Sequence, residues 1–497
     1  MMLIVNLLRP HYSALVPTGC RNMTHVESRL IALIFSLLLS ASSSADPGTS
    51  KNLILIIGDG FDDQHVTMGR NYLAGMSGTL TVDRLPFRGA VQVETFSPSG
   101  TPTYVADSAN TATAIATGAI TSVGRIGTDI QDRDLPTIAE QAIAAGLRVG
   151  LVTTSSITDA TPASFLTHVS SRSCEGPEEI LGSTYYGLAQ PTCPQDARQN
   201  NGPGSIIEQL TSSGAHILLG GGQKFLAQET SAGEPVRSLA ERNGFQIITA
   251  AGELIKLQPD QPAIGLFDSE TLQVRWRGTD GRRAKMAEKN WLNQLSDYLG
   301  EAKDPETQAC EPNPDFKDTP SLAVMTDAAL RHLSANNERG FFLMVESASI
   351  DKQSHKRNPC GSIGEIAQLE EALLLALEFA NRHGDTLIIV TADHAQAAQI
   401  LPDPSHYDEY PIPIYSPGHT ARLMTPEGSV MRINYATNNG FSEEHTGANI
   451  PLFANRTDQP LLAPFIRQRQ LYQVMKTFLL SEDDQNALRD SPMNSAP

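Results

Sequence analysis

Five short apolar runs, spaced along the chain and separated by amphipathic stretches, limit the possible folds more than any other feature. They are Leu53–Ile57, Val149–Thr153, His216–Leu219, Phe341–Val345 and Leu387–Thr391. Runs this short, without polar alternation, suit strands buried on both faces. Helical periodicity fills the intervals at Leu135–Ala145, Ile206–Ser212, Ala323–Ser334 and Ile363–His383. Strand and helix in alternation predict an α/β fold: a three-layer sandwich with a large, mostly parallel central sheet flanked by helices. At 497 residues the chain can bury a core of that size.

Sheets of this kind bind ligands just beyond the carboxyl ends of their strands. Asp59 follows the first run closely, Asp159 the second, Glu346 the fourth, and Asp393 with His394 the fifth. One acid in that position is an ordinary helix cap. Four from separate strands repel one another unless cations sit among them. Asp351 and His355 are four apart, so on a helical turn they face the same side and can share a metal. His445, in Glu444-His445-Thr446-Gly447, adds a third imidazole beside an acid. Carboxylate and imidazole together suit zinc, whereas the oxygen donors Asp59, Asp159, Thr161 and Glu346 suit magnesium. Ser108, in Asp107-Ser108-Ala109-Asn110, stands at an expected helix start. There it is either a plain cap or a hydroxyl at the positive end of the helix dipole.

Other features bear on location. Leu30–Leu39 is an apolar stretch too short to span a bilayer, with Arg29 before it and small residues up to Ala45 after it. Residues 1–45 are therefore expected to be an upstream extension and signal peptide, cleaved after Ala45. Of five cysteines, Cys174, Cys193, Cys310 and Cys360 would remain, an even number in an exported chain. They allow three connectivities, of which Cys174–Cys193 with Cys310–Cys360 closes the shortest loops. No second long apolar run exists, so no membrane anchor is expected in the mature chain. A formal net charge of −18 disfavours nonspecific nucleic-acid binding. Residues 223–312 read as a polar surface insertion, with a helical-looking Ala284–Leu299. Residues 482–497 read as a disordered tail, and 46–481 as a single domain.

The motifs resemble those of the alkaline phosphatases, most closely the bacterial periplasmic ones, from about Asn52 to Leu480. They are Gly58-Asp59-Gly60, Asp107-Ser108-Ala109, Asp159-Ala160-Thr161-Pro162, Val345-Glu346, Ile350 to His355, Thr391 to His394 and His445-Thr446-Gly447. The resemblance implies an alkaline-phosphatase-like fold and hydrolysis of small phosphate monoesters through a phosphoserine on Ser108. It implies two zinc ions per chain, one on Asp351, His355 and His445, the other on Asp59, Asp393 and His394. It implies one magnesium ion on Asp59, Asp159, Thr161 and Glu346, phosphate contacts from Arg172 and Lys352, and a periplasmic homodimer. The cysteines fall where the family's disulfides lie, in favour of the shortest-loop pairing. Ser354 stands where some bacterial members carry an acid. Two other readings of the scaffold are a phosphodiesterase, which tends to use threonine, and a sulfatase, which uses a modified residue in another motif. A non-catalytic phosphate- or zinc-binding protein is the reading outside enzymes, and the presence of Ser108 with every expected ligand argues against it.

Overall fold

Each apolar run becomes a strand, slightly longer than its sequence signature. Ten strands make the central sheet: β1 (Lys51–Gly58), β2 (Phe87–Gln92), β3 (Arg148–Ser156), β4 (Ile217–Gly221), β5 (Gln246–Ile248), β6 (Ala263–Leu266), β7 (Gly340–Ser347), β8 (Thr386–Ala392), β9 (Ile450–Ala454) and β10 (Phe465–Arg467). Their order across the sheet is β10-β2-β9-β8-β1-β7-β3-β4-β6-β5. Pairing is parallel throughout except for β9, which runs against both β8 and β2. In register, Ile56 of β1 lies beside Val345 of β7 and Val390 of β8. The computed structural model describes residues 50–489 apart from 186, 297 and 411–415, and these form one compact unit. The expected signal peptide, its cleavage point and residues 490–497 lie outside the described residues.

Both faces of the sheet are covered. Leu53 to Ile57 are each fully buried, although successive strand side chains point to opposite faces. Burial of each such side chain contributes roughly 1.5–3 kcal/mol. The Pro359–Arg382 helix crosses β1, β7 and β8, and the Leu322–Ser334 helix packs on β3 and β7. The Gln470–Leu479 helix packs on β1 and on the helices Ser108–Thr117 and Ile138–Ala144. Both expected disulfides are present, Cys174–Cys193 and Cys310–Cys360. Among the described residues no helix is long and apolar enough to cross a membrane.

Three local expectations need correction. Residues 223–312 are not wholly a surface insertion, because β5 and β6 lie within them and complete one edge of the sheet. All four residues of β6 are buried, an apolar quartet too short to stand out in polar surroundings. Ala284–Leu299 is not one helix; only Trp291–Leu295 is helical, stopped by the extended Ser296. Residues 482–489 of the expected tail form a helix. Its first turn carries Glu482, Asp483 and Asp484 and its last turn Arg489, complementing the helix dipole, and Leu488 is buried. A smaller sheet of Thr307–Gln308, Gln399–Leu401, His419–Met424 and Val430–Tyr435 had no counterpart in the sequence reading.

Candidate metal centre

The turn after β1 brings the first carboxylate to the edge of the sheet. Gly60 adopts φ +68°, and a Cβ there would lie 3.2 Å from the Asp351 Cβ, so glycine allows this turn to pass close to Asp351. The Gly60 amide donates to Asp393 Oδ1 at 3.1 Å, and the His394 amide donates to the same oxygen at 2.8 Å. That leaves Asp393 Oδ2 and Asp59 Oδ1 buried with no hydrogen-bond partner. His394 Nε2 lies 3.3 Å from Asp59 Oδ1 and 3.4 Å from Asp393 Oδ2. Burial, and then the charges of Asp393, Asp351 and Glu346, push Asp59 well above the ordinary carboxylate range. Two orphaned carboxylate oxygens aimed at an imidazole nitrogen are a donor set that fits a zinc ion.

A second set adjoins the first. Asp351 and His355 share the Ser349–His355 helix, and His355 Nε2 is 3.3 Å from Asp351 Oδ2. His445 Nε2 is 3.3 Å from Asp351 Oδ1. His355 Nδ1 faces the Glu443 carbonyl, and His445 Nδ1 faces the Ala106 carbonyl at 2.7 Å. A carbonyl only accepts, so each Nδ1 carries the proton and each Nε2 presents a lone pair. Those two Nε2 atoms stand 3.1 Å apart. A proton or a metal ion has to lie between them, and with the Asp351 carboxylate they too fit zinc. The ligand atoms of Asp351, His394 and His445 also lie within 4.8 Å of one another, so His394 stands between the two sets. Against the cost of burial, His355 and His445 hold Asp351 well below the ordinary range.

The oxygen-donor set is less closely gathered. Thr161 Oγ1 is buried without a partner, as a ligand oxygen would be. Glu346 accepts from Thr153 and, at 3.3 Å, from Ser155. Burial and the charge of Asp159 push it up to about 7. Asp159 is drawn aside: it accepts from Arg172 Nη2 at 3.0 Å and from Lys352 Nζ. Against burial, Lys352 and Arg172 hold it far below the ordinary carboxylate range.

Ser108 is the first residue of a ten-residue helix. Asp107 caps that helix, its Oδ1 accepting from the Asn110 amide at 3.2 Å. Its Oδ2 accepts from Arg172 Nη1 at 3.2 Å, so one side chain places both the serine and the arginine. Ser108 Oγ, nearly buried, lies 3.1 Å from His394 Nε2. The sequence reading missed both roles of Asp107, and it missed Gln396, which donates to Asp351. The sequence reading took Ser108, and not Asp107, as the candidate cap, and nothing local marks an ion pair to a residue 65 positions away. The Ser354 hydroxyl pairs with His65 Nε2 at 2.9 Å.

Comparison with known proteins is consistent across sequence and structure. A family model described as alkaline phosphatase matches residues 50–441. The chain is 40% identical over 441 residues to the alkaline phosphatase of Escherichia coli (strain K12), covering 86% of each chain. It is 39% identical over 415 residues to alkaline phosphatase H of Pseudomonas aeruginosa, covering 82% of this chain and 80% of that one. The fold matches the alkaline phosphatase from the Antarctic bacterium TAB5 with a TM-score of 0.62 at 21% identity, over 87% of this chain and 98% of that one.

Proposed function

This chain belongs to the alkaline phosphatase family, and we propose that it hydrolyses phosphate monoesters to an alcohol and inorganic phosphate with Ser108 as nucleophile. The observation that carries the reading is the buried Ser108 hydroxyl at a helix start, beside two carboxylate–imidazole sets and facing Arg172 across Asp107.

Ser108 Oγ gives up its proton to solvent and attacks phosphorus while the bond to the ester oxygen breaks, and the departing alkoxide takes a proton from water. Water then cleaves the phosphoserine, releasing inorganic phosphate and restoring the hydroxyl. Asp351, His355 and His445 would hold one zinc ion and Asp59, Asp393 and His394 a second, which would supply Lewis acidity for both steps, and Asp59, Asp159, Thr161 and Glu346 would hold a magnesium ion that orders the site. Arg172 offers a planar fork to two nonbridging oxygens, and Asp107 and Asp159 hold that fork in place. Lys352, paired with Asp159, adds positive charge on the same side. The dipole of the Ser108–Thr117 helix favours the anion at its N-terminus. The two disulfides support export to an oxidising compartment, here the periplasm, after removal of residues 1–45. Residues 46–481 act as one catalytic domain, and family membership supports a homodimer.

The test is hydrolysis of a chromogenic aryl phosphate between pH 7 and 10. Activity should vanish on chelation, return with zinc, rise further with magnesium and be lost in Ser108→Ala. Acid quenching during turnover should leave a phosphoryl group on Ser108 by mass spectrometry. No hydrolysis by the fully metal-loaded protein, or full activity in Ser108→Ala, overturns the proposal.

A further inference from the structure

Lys356 follows His355 directly, and the backbone brings Arg283 to its side. The Ala284 amide donates to the Arg357 carbonyl at 2.9 Å. Lys285 exchanges two main-chain hydrogen bonds with Thr420, at 3.0 and 2.8 Å, fixing the segment from its other end. Arg357 turns inward and is spent on Glu443. Lys356, Arg283 and Lys285 are all exposed.

These outer cations are not neutralised. Among the described residues neither Arg283 nor Lys356 makes a hydrogen bond or ion pair with a carboxylate, whereas neighbouring Arg282 reaches Glu306 at 3.7 Å. The charged groups that act on the Lys356 ammonium are Arg283 and Lys352, both positive. Lys352 leads inward to Asp159 and so to Arg172. A line of four cations therefore runs from the phosphate-gripping arginine to the surface. Its inner members are matched by Asp107 and Asp159, while among the described residues its outer members make no ion pair, although Glu288, Asp304 and Glu306 line the same cleft as Arg283. In a chain of net charge −18, like charges collected beside an anion site repel one another and attract a second anion.

We infer that Arg283 and Lys356 form a subsite for a second phosphoryl group on the leaving portion of the substrate, so that the enzyme prefers bisphosphorylated esters to esters with a neutral leaving group. The inference rests on the monoesterase reading and extends it to substrate class. The preference acts through binding, because the subsite touches a part of the substrate that does not react. It should also be screened by salt, because both cations are exposed.

The experiment compares kcat/KM for a sugar bisphosphate and for phenyl phosphate, at low and at moderate ionic strength. Wild type should favour the bisphosphate at low salt and lose much of that advantage as salt rises. Arg283→Ala with Lys356→Ala should lower the bisphosphate kcat/KM about tenfold through KM, with phenyl phosphate within about twofold. The single variants Arg283→Gln and Lys356→Glu repeat the comparison with different side chains. Competitive inhibition by methylenebisphosphonate, whose P–C–P bridge is not cleaved, relative to methylphosphonate reads the subsite without turnover, and its advantage should disappear in the double variant. An unchanged bisphosphate-to-phenyl ratio in the variants, or no preference in wild type, overturns the inference. Failure of wild type to hydrolyse phenyl phosphate would instead strike the monoesterase reading, and binding of methylenebisphosphonate relative to methylphosphonate would still report on the subsite.

Discussion

Replacing Arg357 with alanine isolates a buried ion pair that supports the imidazole of His355. Arg357 Nε donates to Glu443 Oε1, and Nη2 donates to the Gly440 carbonyl at 2.7 Å. The two side chains are only 11% and 0% exposed. Glu443 also accepts from the Thr437 amide at 3.0 Å. Although burial works against ionisation, the hydrogen bonds from Thr437 and Arg357 hold its pKa below the ordinary range. Without the arginine a buried carboxylate keeps its charge and loses its cation, a cost of about 3–5 kcal/mol. Unfolding entropy is about 2.1 cal/mol/K per residue, or about 0.9 kcal/mol/K over the roughly 440 described residues, so Tm should fall by about 3–5 °C. Adding Glu443→Gln removes the stranded charge and should recover more than half of that loss. The Glu443 carbonyl accepts from His355 Nδ1, so loosening this corner should also weaken zinc binding by about 10–100-fold, read by competition with a chromogenic chelator. A Tm drop below 1 °C with unchanged zinc affinity, or a double variant no more stable than the single one, would refute the reasoning.

Two further outcomes follow from groups away from the proposed metal ligands. His168 Nδ1 faces the Gly127 carbonyl and Nε2 faces Glu140 Oε1, both at 2.8 Å. Despite burial, Glu140 and Gly127 push its pKa up to about 9. A raised folded-state value stabilises fully below the unfolded value near 6.5, and the benefit, about 3 kcal/mol, is lost as pH rises through about 9. Tm measured from pH 6 to 10 should show that step in wild type and lack it in His168→Gln. The disulfides close separations of 19 and 50 residues, so replacing each cysteine pair with serine should cost about 3 and about 4 kcal/mol respectively in denaturant unfolding. An equal loss, or a larger one for Cys174–Cys193, contradicts the loop-length argument.

The middle of the sheet was readable before any coordinates because β1, β3, β7 and β8 are buried on both faces, which turns each into an unbroken apolar word. The reversed edge was not. Phe87–Gln92 carries Arg88 and Gln92, and Pro451 marks Ile450–Ala454 as a poor strand although it pairs on both sides. Asp59, Asp159, Glu346 and Asp393 could be picked out because each ends or closely follows a strand. Arg357 and Glu443 could not, because they stand 86 positions apart and neither has a local partner to announce the pair. Asp159 was read as a metal oxygen alone. Its hold on Arg172 and Lys352 comes from side chains that only the folded chain brings together.

The placement of β1 has a consequence in time. This first strand of the sheet finds both neighbours near the far end of the chain, at Gly340–Ser347 and Thr386–Ala392. Asp59 must then wait for Asp393 and His394 before its set of donors exists, and His445 comes later still. At about 5–20 residues per second, ribosomal synthesis leaves an apolar strand unpaired for roughly 15–70 s. The N-terminal part of the growing polypeptide therefore needs shielding from premature association, and the carboxylate–imidazole cluster is among the last features to be completed.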